Sequence, residues 1–125
     1  DFPGGWSGDR VDAFKGKELS NDVAAAQNFI STLFTWRRAA TAIHNGDLLH
    51  FAPRDGIYVY FRFNEEQRVM VVMNNEPNAV HLDSSRYAQG LAGATRARNV
   101  LTGDRLKLAD RIKIPAKTAQ VFEID

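Results

Sequence analysis

From residue 21 onward apolar side chains return every three or four positions: Val23, Ala26, Ile30, Leu33, Trp36 or Arg37, Ala40 and Ile43. That spacing is the period of an α-helix. Ser20 stands where an N-cap belongs, and Asp22 places a negative charge in the first turn, where the helix dipole favours it. No proline or glycine intervenes before Gly46, which suits the position just past a helix end. One long helix over residues 21–45 is therefore expected. Its apolar stripe is unusually wide, because Phe29, Phe34, Ala24, Ala25, Ala39 and Ala42 broaden it beyond the single face a surface helix needs. Such a helix is expected to touch two layers, a sheet downstream and something upstream. A helix simply central to its own small domain is the plainer alternative.

After Gly46-Asp47 the period becomes that of strands. Residues 48–51 are short, apolar and followed by Pro53, and Asp55-Gly56 is a turn signal. Ile57, Val59, Phe61 and Phe63 alternate with Tyr58, Tyr60 and Arg62, as in a half-buried strand. Val69, Met70, Val71, Val72 and Met73 run unbroken, as in a central strand covered on both faces. Asp83-Ser84-Ser85 is suited to cap a turn around Tyr87, and Gly90 and Gly93 mark a loop. Short strands are expected near 79–82, 95–98, 105–108, 112–115 and 119–124. Short strands at short spacing predict a mainly β fold, an antiparallel β-sandwich, preceded by a loop and the helix.

The first nine residues read differently. Asp1-Phe2-Pro3-Gly4-Gly5-Trp6-Ser7-Gly8-Asp9 has the glycines of an ordered loop and aromatics for it to pack with. Such a loop joins two elements, so the chain is expected to be the tail of a larger protein. Val11, Ala13 and Phe14 are expected to form a short helical turn plugged into a core, ended by Lys15-Gly16-Lys17.

Composition narrows the chemistry. The 125 residues are 44% hydrophobic and 25% charged with a net charge of +1, which fits one domain able to bury a core. So even a balance gives no support to nucleic-acid or membrane-surface binding. No apolar run has the length of a membrane span, and there is no Cys for disulfides or thiolate metal sites. His44, His50 and His81 lack metal-ligand spacing and read as a helix-end residue and strand residues. No nucleophile elbow or phosphate-binding loop is present. Asp1 and Asp9 supply two carboxylates, the minimum for glycoside hydrolysis, but on a loop without a rigid scaffold. Arg96, Arg98, Arg105 and Arg111 read as solvated residues that protect sheet edges. Tyr58, Tyr60 and Tyr87 have the chemistry of a sugar-stacking platform on the outer sheet face, with cross-strand packing as the commoner explanation.

Taken together, Asp1-Phe2-Pro3-Gly4-Gly5-Trp6, Gly8-Asp9, Ala13-Phe14, Leu33-Phe34-Thr35-Trp36-Arg37-Arg38 and Ile43-His44-Asn45-Gly46 resemble the C-terminal part of a glycoside hydrolase family 13 enzyme. The branch resembled is that of the α-amylases and the neopullulanases or cyclomaltodextrinases, of Bacteroides type. Val69-Met70-Val71-Val72-Met73-Asn74-Asn75, Asn99-Val100-Leu101-Thr102-Gly103, Ile112-Lys113-Ile114-Pro115-Ala116 and Val121-Phe122-Glu123-Ile124 resemble strands of its C-terminal sandwich. The resemblance implies that residues 1–46 are the loop and last helix of a (β/α)8 catalytic barrel and residues 47–125 the sandwich. It implies a parent that cleaves α-glucans with retention, using an Asp nucleophile, a Glu acid/base and a second Asp, all upstream of Asp1. The fragment would then hold no catalytic residue, no metal and no cofactor of its own, with calcium a possibility for the parent.

Asp1, Phe2 and Trp6 are the substrate-site candidates, because functional loops of such barrels lie at the C-terminal ends of strands. Anchoring of the loop is the alternative for Phe2 and Trp6. Expected partners are the catalytic barrel and the parent's maltooligosaccharide substrate. A homodimer is expected through a helix face left exposed at Phe29, Trp36 and Ala40. The resemblance places the parent in the periplasm or at the cell surface. The competing function is a carbohydrate-binding module using Tyr58, Tyr60 or Trp36.

Overall fold

A computed structural model of the chain describes residues 3–108 and 111–125. It falls into two units, one ending at Thr35 and the other running Trp36–Asp125.

In the first unit the glycine-rich segment is a loop, and Asp12 organises it. Its backbone pairs with that of Lys17 in both directions, at 3.0 and 2.9 Å, and the Ala13 amide donates to the Pro3 carbonyl at 2.8 Å. The Asp12 side chain accepts from the amides of Phe14 and Lys15 at 3.0 and 3.1 Å. Gly4 has φ +107°, and a Cβ there would lie 2.6 Å from the Asp12 Cα, so both conformation and space demand glycine. The helical turn expected around Phe14 is not formed. Asp12 offers the local amides a side-chain acceptor, which closes a turn in place of a helix. Ala13 is buried, but Phe14 is 73% exposed.

Helix α1, Asn21–Arg37, begins after Ser20, whose hydroxyl accepts from the Val23 amide at 3.4 Å. It ends eight residues earlier than its sequence period predicts. The amides of Ala39 and Ala40 reach back only three residues, to Trp36 and Arg37, and a separate short helix α2 spans Thr41–Asn45. No helix breaker stands at the junction. The cause is tertiary: the Gln67 side chain takes the backbone amide that a continuous helix would pair internally. Gln67 Oε1 accepts from the Ala42 amide at 3.1 Å, while Arg62 donates to the carbonyls of Ala42 and Ile43 at 3.2 and 3.3 Å. Gly46 follows α2 with an extended φ of −85° rather than the left-handed one a helix-ending glycine usually supplies. Its lack of a side chain is a matter of room, since a Cβ would lie 2.4 Å from the Ala42 carbonyl oxygen and 2.7 Å from that of Phe63.

The wide stripe of α1 does not bring two-sided burial, for none of its residues is buried. Of the three residues expected to be left bare, Phe29 is exposed. Trp36 is half-buried, and Ala40 is buried.

The second unit is antiparallel throughout. Strands β1 (Asp47–Arg54), β2 (Ile57–Phe63), β3 (Arg68–Asn74), β5 (Arg96–Asn99), β6 (Arg105–Lys107) and β8 (Thr118–Ile124) form a sheet in the order β1-β2-β3-β8-β5-β6. Strands β4 (Val80–Asp83) and β7 (Arg111–Ile114) pair separately. A 3₁₀ turn at Ser84–Tyr87, capped by the Asp83 carboxylate, leads into the short helix α3, Ala88–Leu91. The core joins Ile57, Val59, Phe61, Met70, Val72 and Phe122 of the large sheet to Leu82, Ile112 and Ile114 of the small one, with Tyr87 and Leu91. The second layer of the sandwich is thus two strands supplemented by a helical turn.

Local chemistry explains the main turns. Asp55 and Gly56 both have positive φ, +49° and +68°, which gives the two-residue hairpin turn whose twist suits β1 and β2. Pro53 is tolerated because β1 is an edge strand with an irregular register between Phe51 and Arg54. Asn74 ends β3 and is buried. Its amide donates to the carbonyls of Asn78 and Pro115 at 3.1 and 2.8 Å, and its oxygen accepts from the Glu76 amide at 2.8 Å. One side chain therefore closes two loops.

Candidate functional site

The substrate-site candidates on the opening loop are Asp1, Phe2 and Trp6. Asp1 and Phe2 lie outside the described residues. Trp6 is 84% exposed. Its backbone amide donates to Asp9 Oδ2 at 3.0 Å, which makes Asp9 a turn-closing carboxylate.

The three tyrosines separate. Tyr87 is 3% exposed and belongs to the core, with its ring edge-on to Phe51 at 5.0 Å. It is no part of an outer platform, because the 3₁₀ turn delivers it inward. Tyr58 and Tyr60 alternate with the core residues Ile57, Val59 and Phe61 and so project from the opposite face of β2. Their ring centroids are 5.7 Å apart and the planes are tilted by 39°. His50, the partner of Tyr60 across β1, meets Tyr58 edge-on at 6.4 Å. Leu48 and Met73 flank them, both exposed. Burial raises the Tyr60 pKa above its ordinary value, Tyr58 adds to the rise, and Arg62 opposes it. Tyr60 is therefore a neutral hydroxyl at physiological pH.

Trp36 has a different use. Its indole N–H donates to Glu123 Oε1 at 2.6 Å, and Gln67 donates to the same oxygen at 3.2 Å. The other carboxylate oxygen receives both Nε (3.1 Å) and a terminal nitrogen of Arg98. Glu123 thus has its lone pairs filled from α1, from Gln67 just before β3, and from β5. Burial acts to raise its pKa, but the hydrogen bonds from Trp36, Arg98 and Gln67 and the Arg98 charge outweigh it and hold the carboxyl below its ordinary value. Arg98 is consequently not a solvated edge residue. Strand β5 lies inside the sheet, with β6 beyond it, and sets Arg98 directly across from Glu123. Nothing in the sequence marked this pair, because the two residues are neighbours only once β5 and β8 are known to pair.

A cleft of about 420 Å³ opens beside β4, lined in part by Arg54, His81, Asp83 and Arg86. Its polar groups serve the local backbone: Asp83 accepts from Ser85, and Arg86 donates to the Ala52 carbonyl at 2.9 Å. Among the described residues no three His, Asp or Glu side chains converge on a point that could hold a metal ion. His44 Nε2 donates to the Arg37 carbonyl at 2.8 Å. Among the described residues no helix is long and apolar enough to cross a membrane.

The family profile of the cyclo-malto-dextrinase C-terminal domain matches residues 48–123. This chain belongs to that family. The match begins at β1 and ends in β8, so it covers the strand-bearing part described above.

Solved structures share the fold of this cyclo-malto-dextrinase C-terminal domain. A crystal structure of AmyP in complex with maltotriose superposes with a TM-score of 0.72 at 16% identity, covering 94% of this chain and 24% of that one. An Anoxybacillus α-amylase gives 0.66 at 20% identity, covering 86% and 23%. The α-amylase of Geobacillus thermoleovorans complexed with acarbose gives 0.60 at 18% identity, covering 86% and 24%. The chain spans about a quarter of the length of these proteins. The family match agrees with the C-terminal-domain family that the sequence resembles, and the solved structures agree with it in fold.

Proposed function

We propose that this chain is an accessory β-sandwich that stabilises the catalytic barrel of an α-glucan-acting glycoside hydrolase. The observation that carries the reading is the family match over residues 48–123, supported by the fold shared with α-amylases several times its length. The parent cleaves α-glucosidic bonds of maltooligosaccharides with retention, using one carboxylate as nucleophile and another as acid/base. Those carboxylates lie outside this chain, and the chain alone is inactive. Its carboxylates support that part of the reading: Asp9 and Asp12 close turns, and Glu123 is saturated by three donors.

Asp1, Phe2 and Trp6 border the substrate site in the parent, and the parent is a periplasmic or surface enzyme. The barrel is the chain's main partner. Deleting residues 47–125 from the parent tests the stabilising role. The expected result is a lower unfolding midpoint, with kcat/KM on maltohexaose largely kept by the molecules that remain folded. An unchanged midpoint would remove the stabilising role, and hydrolysis of maltohexaose by the 125-residue chain alone would remove its inactivity.

A further inference from the structure

We propose that Tyr58, Tyr60 and His50, on the outer face of β1 and β2, form a surface binding site for a linear α-glucan. The glucan class rests on the parent reading above; the site itself rests on four observations.

The two tyrosines lie two residues apart on one strand, so both rings stand on the same face, away from the core. Their 39° tilt at 5.7 Å is neither the offset stack nor the edge-to-face arrangement that an aromatic pair prefers, and both residues are half-buried, so part of each remains accessible. Among the described residues, no group hydrogen-bonds to either phenol oxygen or to the His50 ring nitrogens, which leaves three polar handles around the aromatic surface. No carboxylate adjoins the patch among the partners of β1 and β2: its neighbours are Leu48 and Met73, and the Arg62 guanidinium donates to the carbonyls of Ala42 and Ile43.

A pyranose has the complementary chemistry. Its C–H face packs on an aromatic ring, and its hydroxyl rim takes hydrogen bonds from the groups at the edge. Small-ligand sites have this general composition, an apolar surface with a few placed polar groups. A neutral glucan meets no repulsion here, whereas the lone guanidinium of Arg62 is no basic patch of the kind that a nucleic acid or an anionic lipid needs.

The test is a titration of the 125-residue chain, followed by amide NMR, with maltoheptaose in one arm and cellohexaose in the other. Saturable shifts centred on residues 48–50, 58–60 and 73 are expected with maltoheptaose, with Kd on the order of 1 mM. Cellohexaose should bind several-fold more weakly. The double variant Tyr58→Leu/Tyr60→Leu should lose binding about tenfold or more. Tyr58→Phe/Tyr60→Phe keeps the rings and should lose only a few-fold; it also serves if the leucine variant fails to fold. Silence toward both sugars at about 10 mM would overturn the platform while leaving the parent reading intact. Binding that prefers cellohexaose would overturn the α-glucan class and the parent reading with it. Sugar-insensitive self-association that the leucine variant abolishes would overturn the proposal in favour of a protein contact.

Discussion

Residues 3–35 and residues 36–125 carry the same kinds of large apolar side chain and bury them differently. In the first region Trp6, Phe14, Phe29 and Phe34 are between 42% and 84% exposed, and Ala13 is its buried apolar residue. In the second, Phe61, Phe122 and Tyr87 are at most 4% exposed and sit in one core cluster. The difference follows from how each element satisfies its backbone. A helix closes its own hydrogen bonds and stands with an apolar face uncovered. A strand needs partners, and each partner it acquires brings side chains to cover one of its faces. Apolar content is therefore a poor guide to burial in α1 and a good one in β2 and β3.

The largest expected effect sharpens this comparison with one substitution made twice. Phe61 is fully buried and fills the centre of the core, so Phe61→Ala should cost about 3–5 kcal/mol. Phe34 is 53% exposed on α1, and Phe34→Ala should cost well under about 1 kcal/mol. Urea unfolding of both variants decides it; equal costs would break the contrast. Next comes the opposite change at the same place. Gly90 lies against Phe61 so closely that a Cβ would approach its ring to 2.3 Å. Gly90→Ala should cost about 1–3 kcal/mol by overpacking. Combining it with Phe61→Leu should recover part of that loss, because the crowding ring is gone.

The strands were legible because alternation and turn chemistry are local. Asp55-Gly56 dictates its hairpin, the Ile57 to Phe63 alternation dictates its faces, and Asp83 with Ser85 dictates the 3₁₀ turn. The end of α1 was not legible. Residues 38–42 are alanine-rich and locally favour helix; Gln67, 25 residues on, takes the Ala42 amide instead. Gly46 was legible as a boundary and misread in its cause, since the carbonyls of Ala42 and Phe63 leave no room for a side chain there. Among the chemical candidates, sequence placed Tyr58, Tyr60 and Tyr87 together. The alternation of β2 keeps the first two on one face, and the turn after β4 carries Tyr87 to the other side. The Trp36–Glu123–Arg98 cluster left no trace in the sequence because its members are brought together by pairing over long separations.

That cluster supplies a smaller effect with a definite pH sign. The folded pKa of Glu123 is lowered, so its contribution to stability is fully present above the ordinary carboxylate value of 4.5 and is lost as pH falls below it through the lowered folded value. The ion pair is partly exposed, so screening keeps the effect to about 1 kcal/mol. Glu123→Gln should flatten the acid limb of the stability profile over that window while changing neutral-pH stability by a similar amount. Trp36 fluorescence reports the same event, because its N–H partner changes. A variant with an undiminished acid limb would show that other carboxylates carry it.

The smallest effect on folding tests what the bare helix face is for. Phe29, Ile30 and Phe34 are between 42% and 53% exposed, and apolar patches of this kind promote association. We propose that in the isolated chain this face supports a homodimer. Replacing Ile30 and Phe34 by Ser should change the unfolding free energy of the monomer by about 0.5 kcal/mol per site or less. It should shift the sedimentation-equilibrium average towards the monomer. The two readings then separate the regions: core substitutions move the unfolding midpoint at every protein concentration, whereas α1 substitutions move only its concentration dependence. If the Ser variant unfolds at a much lower urea concentration in dilute solution, α1 is held by intramolecular burial, and the contrast drawn between the two regions fails.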